Sequence, residues 1–381
     1  MSKRNKEINP KARLIAFYLP QFHPIPENDE WWGKGFTEWT NVAKATPLFH
    51  GHYQPHIPAD LGFYDLRVPE TRLAQADMAR EYGVEGFCYW HYWFAGKRLL
   101  ERPFNEVLKS GEPKLPFCLG WANDTWTGIW HGCPDKILIE QTYPGRKDEE
   151  AHFYTLLNAF GDERYITVDG HPVFLIYKPH MLPEPKRFID HWKELAVKEG
   201  LKSIYFIGHA QTMQWKYEES GFDAMVPHNP GLTLHHAFDY FNSKLNFADN
   251  VCLKFTKRKV KDFYKHVFSR PDVFFYKDYI KYALPELRND FDEFPCVLPN
   301  WDNSPRCGVN AFIFHNSTPG LFKKHLREAI EQVAHREPEK RIVFIKSWNE
   351  WAEGNYLEPD QKFGKAYLQA CKEEVYLSQE K

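Results

Sequence analysis

Short apolar segments rich in β-branched and aromatic residues recur along the whole chain and alternate with amphipathic segments. The apolar segments predict eight β-strands: Leu14–Pro20, Val84–His91, Pro116–Asn123, Pro172–Lys178, Ile204–Ala210, Ala224–His228, Cys296–Asp302 and Arg341–Trp348. A 3.6-residue periodicity predicts the helices Pro69–Tyr82, Phe104–Ser110, Glu149–Phe160, Lys186–Lys198, Asp262–Leu284, Phe322–His335 and Lys362–Leu377. Segments that are apolar at every position, such as Val173–Ile176, are typical of parallel strands covered on both faces.

Eight successive strand–helix units predict an α/β protein that folds as a single (β/α)₈ TIM barrel, with residues 1–381 as one domain and residues 1–12 flexible. A doubly wound open sheet is the competing fold, but it usually has fewer strands and often a glycine-rich first turn, which this chain lacks. The extra length follows strands, in Gln21–Asp65, Asp124–Asp148 and Asn229–Lys261. Because long βα loops build the active-site face of a barrel, this placement favours an enzyme.

Composition adds an excess of aromatic residues, which make up 17% of the chain and include 13 tryptophans. Many lie beside Asn, Asp, Glu or Gly in turn-like stretches, where a ring face is open to a ligand. The net charge of −2, with both signs interspersed, argues against a nucleic-acid partner. The chain has no apolar stretch near the roughly 20 residues of a transmembrane segment. It also starts without an apolar leader, which predicts a cytoplasmic protein with at most a peripheral membrane contact.

Metal and cofactor motifs are not evident. The seven cysteines are scattered without a Cys-x-x-Cys pair, so neither disulfides nor a zinc site are expected. A metal-dependent hydrolase finds its best support in His235, His236 and Asp239. Adjacent histidines point apart in most backbone conformations, however, and no second cluster completes a ligand shell. We therefore predict no metal and no cofactor.

Two carboxylates stand out at the end of the last predicted strand, where Ser347–Gly354 reads Ser-Trp-Asn-Glu-Trp-Ala-Glu-Gly. Glu350 and Glu353 are three residues apart, and in a turn this spacing points both carboxyl groups the same way. Glycoside cleavage needs such a pair. The alternative is a solvated pair at a helix start. The interleaved tryptophans argue against it, because rings beside carboxylates stack on sugars and raise a carboxyl pKa by desolvation.

Other strand ends repeat this mixture of rings with His, Asn or Asp, in Tyr89–Trp93, Trp121–Trp126, Val226–Pro230 and Pro299–Asn303. Any one alone is more often a structural loop, but together they predict a polyhydroxyl ligand, an oligosaccharide or polysaccharide, held by side-chain hydrogen bonds. The predicted substrate contacts are Tyr18, His23, Trp31, Trp32, Glu38, Trp90, His91, Trp121, Asn123, Asp124, Trp126, His228, Asn229, Trp301, Asp302, Trp348, Asn349 and Trp351.

Four segments carry a family resemblance: Phe17–Pro24, Trp31–Asn41, Gly120–Trp126 and Asn349–Gly354. Through them nearly the whole chain resembles the WbsX-like proteins, glycosyltransferases of cell-surface polysaccharide loci, which are similar to the endo-α-mannosidases of glycoside hydrolase family 99. The resemblance implies a (β/α)₈ barrel that cleaves a manno-configured sugar with retention through a 1,2-anhydro sugar. It also implies synthesis or remodelling of a bacterial surface polysaccharide, such as O-antigen or capsule, from the cytoplasm. Contact with a lipid-linked glycan at the inner membrane face would then be peripheral.

The resemblance further implies separate roles for the two glutamates. Glu350 would deprotonate the sugar 2-hydroxyl, while Glu353 would protonate the leaving oxygen and later activate water or an acceptor hydroxyl. Departures from family 99 are the missing leader and the long Gln21–Asp65 loop with its paired tryptophans. The identity of the sugar therefore does not carry over.

Two other functions remain open at this stage. A nucleotide-sugar glycosyltransferase is expected to carry a metal-binding Asp-x-Asp after a strand, and only Asp290–Asp292 fits. That motif precedes the seventh predicted strand, which puts it on the opposite face of a barrel. A glycan-binding barrel without catalysis is the other alternative, and the intact Glu350 and Glu353 argue against it. Transfer could also arise when a sugar hydroxyl replaces water at the Glu353 step.

Overall fold

The structure is a computed structural model, and it describes residues 9–128, 133–210, 215–227 and 271–376. The strands of its main sheet are β1 (Arg13–Tyr18), β2 (Val84–Phe94), β3 (Phe117–Trp121), β4 (His171–Ile176), β5 (Tyr205–His209), β6 (Ala224–Val226), β7 (Asp292–Glu293), β8 (Cys296–Val297) and β9 (Ile342–Ile345). The helices are α1 (Pro26–Trp32), α2 (Glu38–Lys44), α3 (Pro69–Glu81), α4 (Arg102–Ser110), α5 (Arg146–Phe160), α6 (Pro185–Lys198), α7 (Tyr276–Tyr279), α8 (Ser304–Cys307), α9 (Pro319–Val333) and α10 (Ala366–Tyr376).

The main sheet runs in the order β7-β6-β5-β4-β3-β2-β1-β9-β8, and every neighbouring pair along this path is parallel. The two ends of the path belong to one short segment, because only Phe294 and Pro295 separate β7 from β8. The Phe294 N–H donates to the carbonyl of Met225 at 2.9 Å, and the Lys346 N–H donates to that of Val297 at 2.9 Å. The structure thus confirms an α/β fold with parallel strands in a curled sheet.

Both faces of this sheet are buried, which explains the uninterrupted apolar segments of the sequence. In β1, residues from Leu14 to Tyr18 are all 1% exposed or less. On the inner face Phe17 stacks on Trp90 with ring centroids 4.8 Å apart. On the outer face, helices such as α6 contribute large apolar side chains, and Trp192 is completely buried there. Parallel strands covered on both faces favour apolar residues at every position.

Most predicted elements recur with small shifts, and the largest difference lies near residue 275. The predicted helix Asp262–Leu284 lies partly outside the described residues, and its described part instead forms a strand at Asp272–Phe275 followed by the single turn α7. This strand pairs in parallel with Phe312–His315. The segment Val-Phe-Phe has the β-branched and aromatic residues that strands favour, and pairing with another strand outweighs its helical periodicity.

Two strand predictions also need correction in their bounds. The predicted strand Cys296–Asp302 keeps strand geometry only in β8, because the chain then turns to contact the segment after β9. Strand β2 instead runs beyond its predicted end to Phe94 and turns back to pair with Lys97–Leu99. The end of the predicted strand Ala224–His228 lies outside the described residues. Among the helices that the structure describes, none is long and apolar enough to cross a membrane.

Candidate active site

The predicted carboxylate pair lies just beyond the carboxyl end of β9. Asn349–Glu350 pairs in antiparallel fashion with Asn355–Tyr356, and the 3₁₀ turn Trp351–Glu353 joins them. Gly354 has a φ of 64°, and a Cβ there would approach the backbone nitrogen of Asp302 to 2.8 Å. Glycine is therefore required where the turn packs against the loop after β8. This turn directs both carboxyl groups to one place, where each contacts Nη1 of Arg306.

Arg306 of α8 holds the two carboxyl groups together. Its Nη1 donates to Glu353 Oε1 at 2.6 Å and lies 3.4 Å from Glu350 Oε1. The opposite edge of the guanidinium contacts Glu38, with Nη2 and Nε at 3.1 and 3.2 Å from Oε2. All of these side chains are buried or nearly so. Because a guanidinium presents its donors in a fixed fork, it fixes the positions of several carboxylates at once.

The carboxyl groups have two further partners in the segment that leads out of β9. Lys346 Nζ is 4.0 Å from Glu350 Oε2, and the Ser347 hydroxyl donates to the same oxygen at 3.2 Å. The Asn355 amide reaches Glu353 Oε2 at 3.5 Å. Glu350 thus has more cationic and donor contacts than Glu353, although the two side chains are similarly buried.

These contacts separate the two pKa values. Burial raises the pKa of Glu353 to about 7, and the neighbouring charge of Glu350 adds to the increase. Burial alone would also raise the pKa of Glu350, but Lys346 and Arg306 outweigh it and hold that pKa below its ordinary value. Below about pH 7 Glu353 therefore retains its proton while Glu350 is a carboxylate. Two carboxyls whose environments push their pKa values apart are the usual arrangement of an acid and a base in one site.

A cavity of about 330 Å³ opens at Glu350, the member of the pair that lines it. Its lining combines rings, amides, hydroxyls and the charged groups of the cluster: Leu19, Gln21, Trp32, Tyr92, Asp124, Thr125, Trp126, Thr127, Arg306 and Glu350. The sequence prediction named four of these, which are Trp32, Asp124, Trp126 and Glu350. Trp31 is half-buried beside them, with its ring 5.9 Å from that of Trp126. The structure thus brings together the first long loop, the end of β3 and the carboxylate segment.

A third glutamate supports the turn from below. Glu358 is 2% exposed and accepts hydrogen bonds from Trp351 Nε1 at 2.7 Å, Gln75 Nε2 at 2.6 Å and the Tyr64 hydroxyl at 2.8 Å. Burial raises the pKa of Glu358 to about 7 despite these donors. Trp351 is fixed on its other side by Tyr356, whose ring stacks at 3.8 Å. This network fixes the geometry of the segment that carries Glu350 and Glu353.

Replacing Glu358 by glutamine is expected to lower the free energy of unfolding by about 1–3 kcal/mol, because the amide nitrogen cannot accept and leaves a buried donor unpaired. Chemical denaturation followed by tryptophan fluorescence measures this change. The matched control is Glu163→Gln, which changes an exposed side chain in the same way. Equal stability of the two variants would contradict the structural role of Glu358.

Several predicted contact residues are instead buried supports. Trp348 and Asn349 are completely buried and Trp351 is 1% exposed, so none offers a ring face or amide to a sugar. Oδ1 of Asn349 accepts the N–H of Leu19 at 2.8 Å, and Nδ2 donates to the Leu19 carbonyl at 3.0 Å. Tyr18 lies among aromatic side chains under the loops and donates to Gln75 at 2.7 Å. The sequence places these residues in the same segment as Glu350, but it does not show which of its side chains face the cavity and which are buried.

Strand alternation turns two other predicted residues away from the cavity. His91 Nε2 lies 2.8 Å from Nε2 of His152 on α5, so His91 faces the helical layer. Trp121 packs against the same histidine, with ring centroids 4.9 Å apart. Trp90 points inward and forms part of the core below the cavity by stacking on Phe17. The side chains of neighbouring residues in a strand point to opposite sides of the sheet. Trp90 and Tyr92 therefore point to one side, and His91 points to the other.

The remaining predicted contacts have structural partners or lie elsewhere. Asn123 fixes a turn through Lys178, accepting from its N–H at 2.7 Å and donating to its carbonyl at 2.8 Å. His23 is buried with Nδ1 3.0 Å from the Pro20 carbonyl. Trp301 stacks on Phe312 at 5.3 Å. Glu38 contacts Arg306 and does not line the cavity, and Asp302 lines a second cavity. His228 and Asn229 lie outside the described residues.

Sequence reasoning missed the cations of the site. Lys346 directly precedes the carboxylate segment, so its place after an apolar strand was a usable signal. No sequence signal marked Arg306, because it lies after β8, in another part of the chain, and contacts Glu350 only in the folded protein. Across the described ranges, no three His, Cys, Asp or Glu side chains come close enough to hold a metal ion.

The arrangement of the site can now be set beside known proteins. The model of the family described as "Glycosyltransferase WbsX" matches residues 14–371. The chain belongs to this WbsX family. Two curated relatives, both "Uncharacterized protein WxcX" of Xanthomonas campestris pv. campestris, from strains B100 and ATCC 33913, are 38% identical over 363 residues. This match covers 95% of the WbsX-family chain and 49% of each relative, so the chain spans about half the length of those proteins.

Solved structures show a likeness of fold. A "glycoside hydrolase-like protein" gives a TM-score of 0.59 at 15% identity and covers 99% of this chain and 98% of its own. The GH99 endo-α-mannosidase from Bacteroides thetaiotaomicron, in complex with bis-tris propane, gives 0.54 at 15% identity and covers 95% of each chain. At these identities the likeness concerns the fold alone.

Proposed function

We propose that this WbsX-family chain cleaves or transfers at a glycosidic bond of a cell-surface polysaccharide, with Glu353 as the acid and Glu350 as the base. The observation that carries the proposal is the close pair of carboxyls, both in contact with Nη1 of Arg306, at an aromatic-lined cavity that Glu350 lines. Their surroundings shift the two pKa values in opposite directions. We also propose that the sheet closes as an eight-unit barrel through the segment Asp292–Val297. The site then lies at the carboxyl ends of the strands, where barrel enzymes place their chemistry.

The closeness of the two carboxyls favours one reaction course. An inverting pair stands about 6.5–9.5 Å apart to admit a water molecule, and a retaining pair with an enzyme nucleophile about 5–5.5 Å. Here both carboxyls contact Nη1 of Arg306, and each shifts the pKa of the other, so the two groups are immediate neighbours. Such a pair suits two oxygens on adjoining sugar carbons, the 2-hydroxyl and the departing glycosidic oxygen.

The first proposed step forms a 1,2-anhydro sugar. The Glu350 carboxylate accepts the proton of the 2-hydroxyl, and that oxygen attacks the anomeric carbon. The bond from the anomeric carbon to the leaving oxygen breaks, and Glu353 gives this oxygen its proton. In the second step the Glu353 carboxylate takes a proton from water or an acceptor hydroxyl, whose oxygen opens the three-membered ring, and Glu350 returns its proton to O2. Both glutamates end in their starting states.

This course requires the 2-oxygen and the leaving oxygen to lie on opposite faces of the sugar, as in an α-mannoside, and it predicts net retention. The test is to incubate the protein with α-mannoside oligosaccharides and to follow the anomeric protons of the first product by NMR. An α-configured first product is expected. A β-configured first product would contradict the mechanism, although not the assignment of the carboxyl pair itself.

The pH dependence of kcat/KM is expected to report both glutamates. Activity needs a protonated Glu353, so the rate should fall as pH rises through about 7, the pKa to which burial raises this group. Activity also needs ionised Glu350, whose pKa lies below its ordinary value of 4.5, so the rate should persist into mildly acidic buffer. A rate that increases between pH 7 and 9 would contradict these assignments.

A nucleotide-sugar glycosyltransferase is the second candidate, because the family carries that description. The Asp-x-Asp motif gives it little support. Asp292 lies at the start of β7, where Tyr205 and Lys340 contact its carboxylate at 2.7 Å, and Asp290 is exposed and paired with Arg288. The starts and the carboxyl ends of parallel strands lie at opposite ends of the sheet, so this motif is remote from Glu350. Action in the cytoplasm, and contact with a lipid-linked glycan, stay predictions.

A further inference from the structure

A second cavity, of about 220 Å³, lies beside the carboxylate turn and is lined by Asp302 and Gly354 among others. The loop after β8 meets the turn here, since the Asp302 N–H donates to the Glu353 carbonyl at 2.7 Å. Three segments form the cavity: Gly51–His56 of the first long loop, Pro299–Thr318 after β8, and Gly354–Tyr367 after the carboxylate turn. Both cavities thus lie at the carboxyl ends of the strands.

We propose that this second cavity binds one pyranose unit of the glycan on which the carboxyl pair acts. The inference rests on the proposed function for the substrate class, whereas the binding itself needs no catalysis. Three observations carry it, which are the rigid aromatic walls, the saturated carboxylates and one buried acceptor without a partner.

The rings of the cavity are fixed by hydrogen bonds. The Tyr356 hydroxyl donates to Asp360 Oδ2 at 2.8 Å and lies 2.8 Å from Nδ1 of His56. Tyr53 donates to the same carboxylate at 3.3 Å and stacks on His56 at 4.4 Å. Phe363 meets Tyr53 edge to face at 6.5 Å. Because these rings are held before any ligand arrives, contact with them has a small entropic cost.

The carboxylates of the cavity are already in use. Asp302 accepts from Gln54 Nε2 at 2.7 Å and contacts His52 Nε2 at 2.8 Å, and its other oxygen accepts the Ser304 N–H at 3.0 Å. The second oxygen of Asp360 accepts the backbone N–H of Lys362 at 3.0 Å. These saturated groups have little to offer a cation. The charged group at the rim is instead Lys362, whose ammonium lies 4.4 Å from the ring centroid of Tyr53.

One acceptor lacks a donor. Asn300 Oδ1 is buried at the cavity, and no described residue donates a hydrogen bond to it. Buried polar atoms are almost always paired, so an orphan beside a cavity points to a ligand group, here a hydroxyl. Ligands of drug size occupy cavities of about 300–1,000 Å³, so this smaller one suits a single sugar ring and not a nucleotide sugar.

The test measures binding of methyl α-D-mannopyranoside, -glucopyranoside and -galactopyranoside by saturation-transfer NMR. The background is Trp126→Ala, which removes a ring from the catalytic cavity. We expect at least one pyranoside to bind, and its affinity to fall about tenfold when Asn300→Ala is added, because a buried hydrogen bond is lost. Phe363→Ala should weaken binding in the same way. Tyr154→Ala, which removes a surface ring of α5, is the matched control and should change nothing.

The proposal is overturned if none of the three pyranosides receives saturation transfer. It is also overturned if Trp126→Ala abolishes the transfer while Asn300→Ala leaves it intact. Misfolding is excluded by thermal unfolding, because Asn300 Oδ1 makes no hydrogen bond whose loss would destabilise the chain. If cavity binding is confirmed while Glu350→Gln and Glu353→Gln remain active, the proposed catalytic function fails and the binding site stands.

Discussion

Replacing Glu353 by glutamine is expected to lower the turnover of oligosaccharides by about 10²- to 10⁴-fold, the usual contribution of a general acid. The loss should depend on the leaving group. Aryl glycosides that release a nitrophenol need no protonation, so Glu353→Gln should retain much more of its activity on them. Rates on the two substrate types, measured side by side, give the comparison.

Glu350→Gln should behave differently, because deprotonation of the 2-hydroxyl is needed whatever the leaving group is. Its rate should therefore be low on aryl glycosides and on oligosaccharides alike. Glu163→Gln, on the surface, controls for the change of a glutamate as such. Equal recovery of both site variants on nitrophenyl substrates would contradict the division of roles between Glu350 and Glu353.

Removal of Arg306 is expected to have the largest effect on stability. Arg306→Gln leaves Glu38 buried without its cation, and breaking a buried ion pair in this way costs about 3–5 kcal/mol of unfolding free energy. The loss of positive charge should also raise the pKa values of Glu350 and Glu353, so the falling limb of the pH profile should move above its wild-type position. Denaturation and pH profiles together measure both effects.

A double variant separates these two effects. Arg306→Gln with Glu38→Gln removes the uncompensated charge, so most of the lost stability should return. The pH profile should stay displaced, since the cation beside Glu353 is still missing. Recovery of both stability and pH profile in the double variant would mean that Arg306 acts only on packing, and that its 2.6 Å contact with Glu353 has no chemical role.

Much of the fold could be predicted from the sequence because parallel strands buried on both faces are apolar at every position. The same rule explains the failure at Asp272–Phe275, whose strand lies outside the main sheet and is exposed at alternate positions. Its pattern continues into α7 and resembles one amphipathic helix. Only the partner strand Phe312–His315 decides between the two, and a single sequence does not show that pairing.

The parts of the candidate site that are close together in the sequence could be predicted, and the parts that only the fold brings together could not. Glu350 and Glu353 share one turn, so their spacing alone indicated a pair. Arg306 reaches them from another loop and has no sequence signature. The strand ends showed a different weakness, because Trp90 and His91 look alike as candidates and only the direction of the pleat separates them.

The most direct test of the carboxyl pair is product analysis in ¹⁸O-labelled water without any nucleotide sugar. Wild type, Glu350→Gln and Glu353→Gln are incubated with α-mannoside and bacterial repeat-unit oligosaccharides, and products are followed by mass spectrometry. We predict cleavage, with label at the new reducing end, or unlabelled transfer products, and loss of either in both variants. Activity that requires a nucleotide sugar and survives both substitutions would contradict the account.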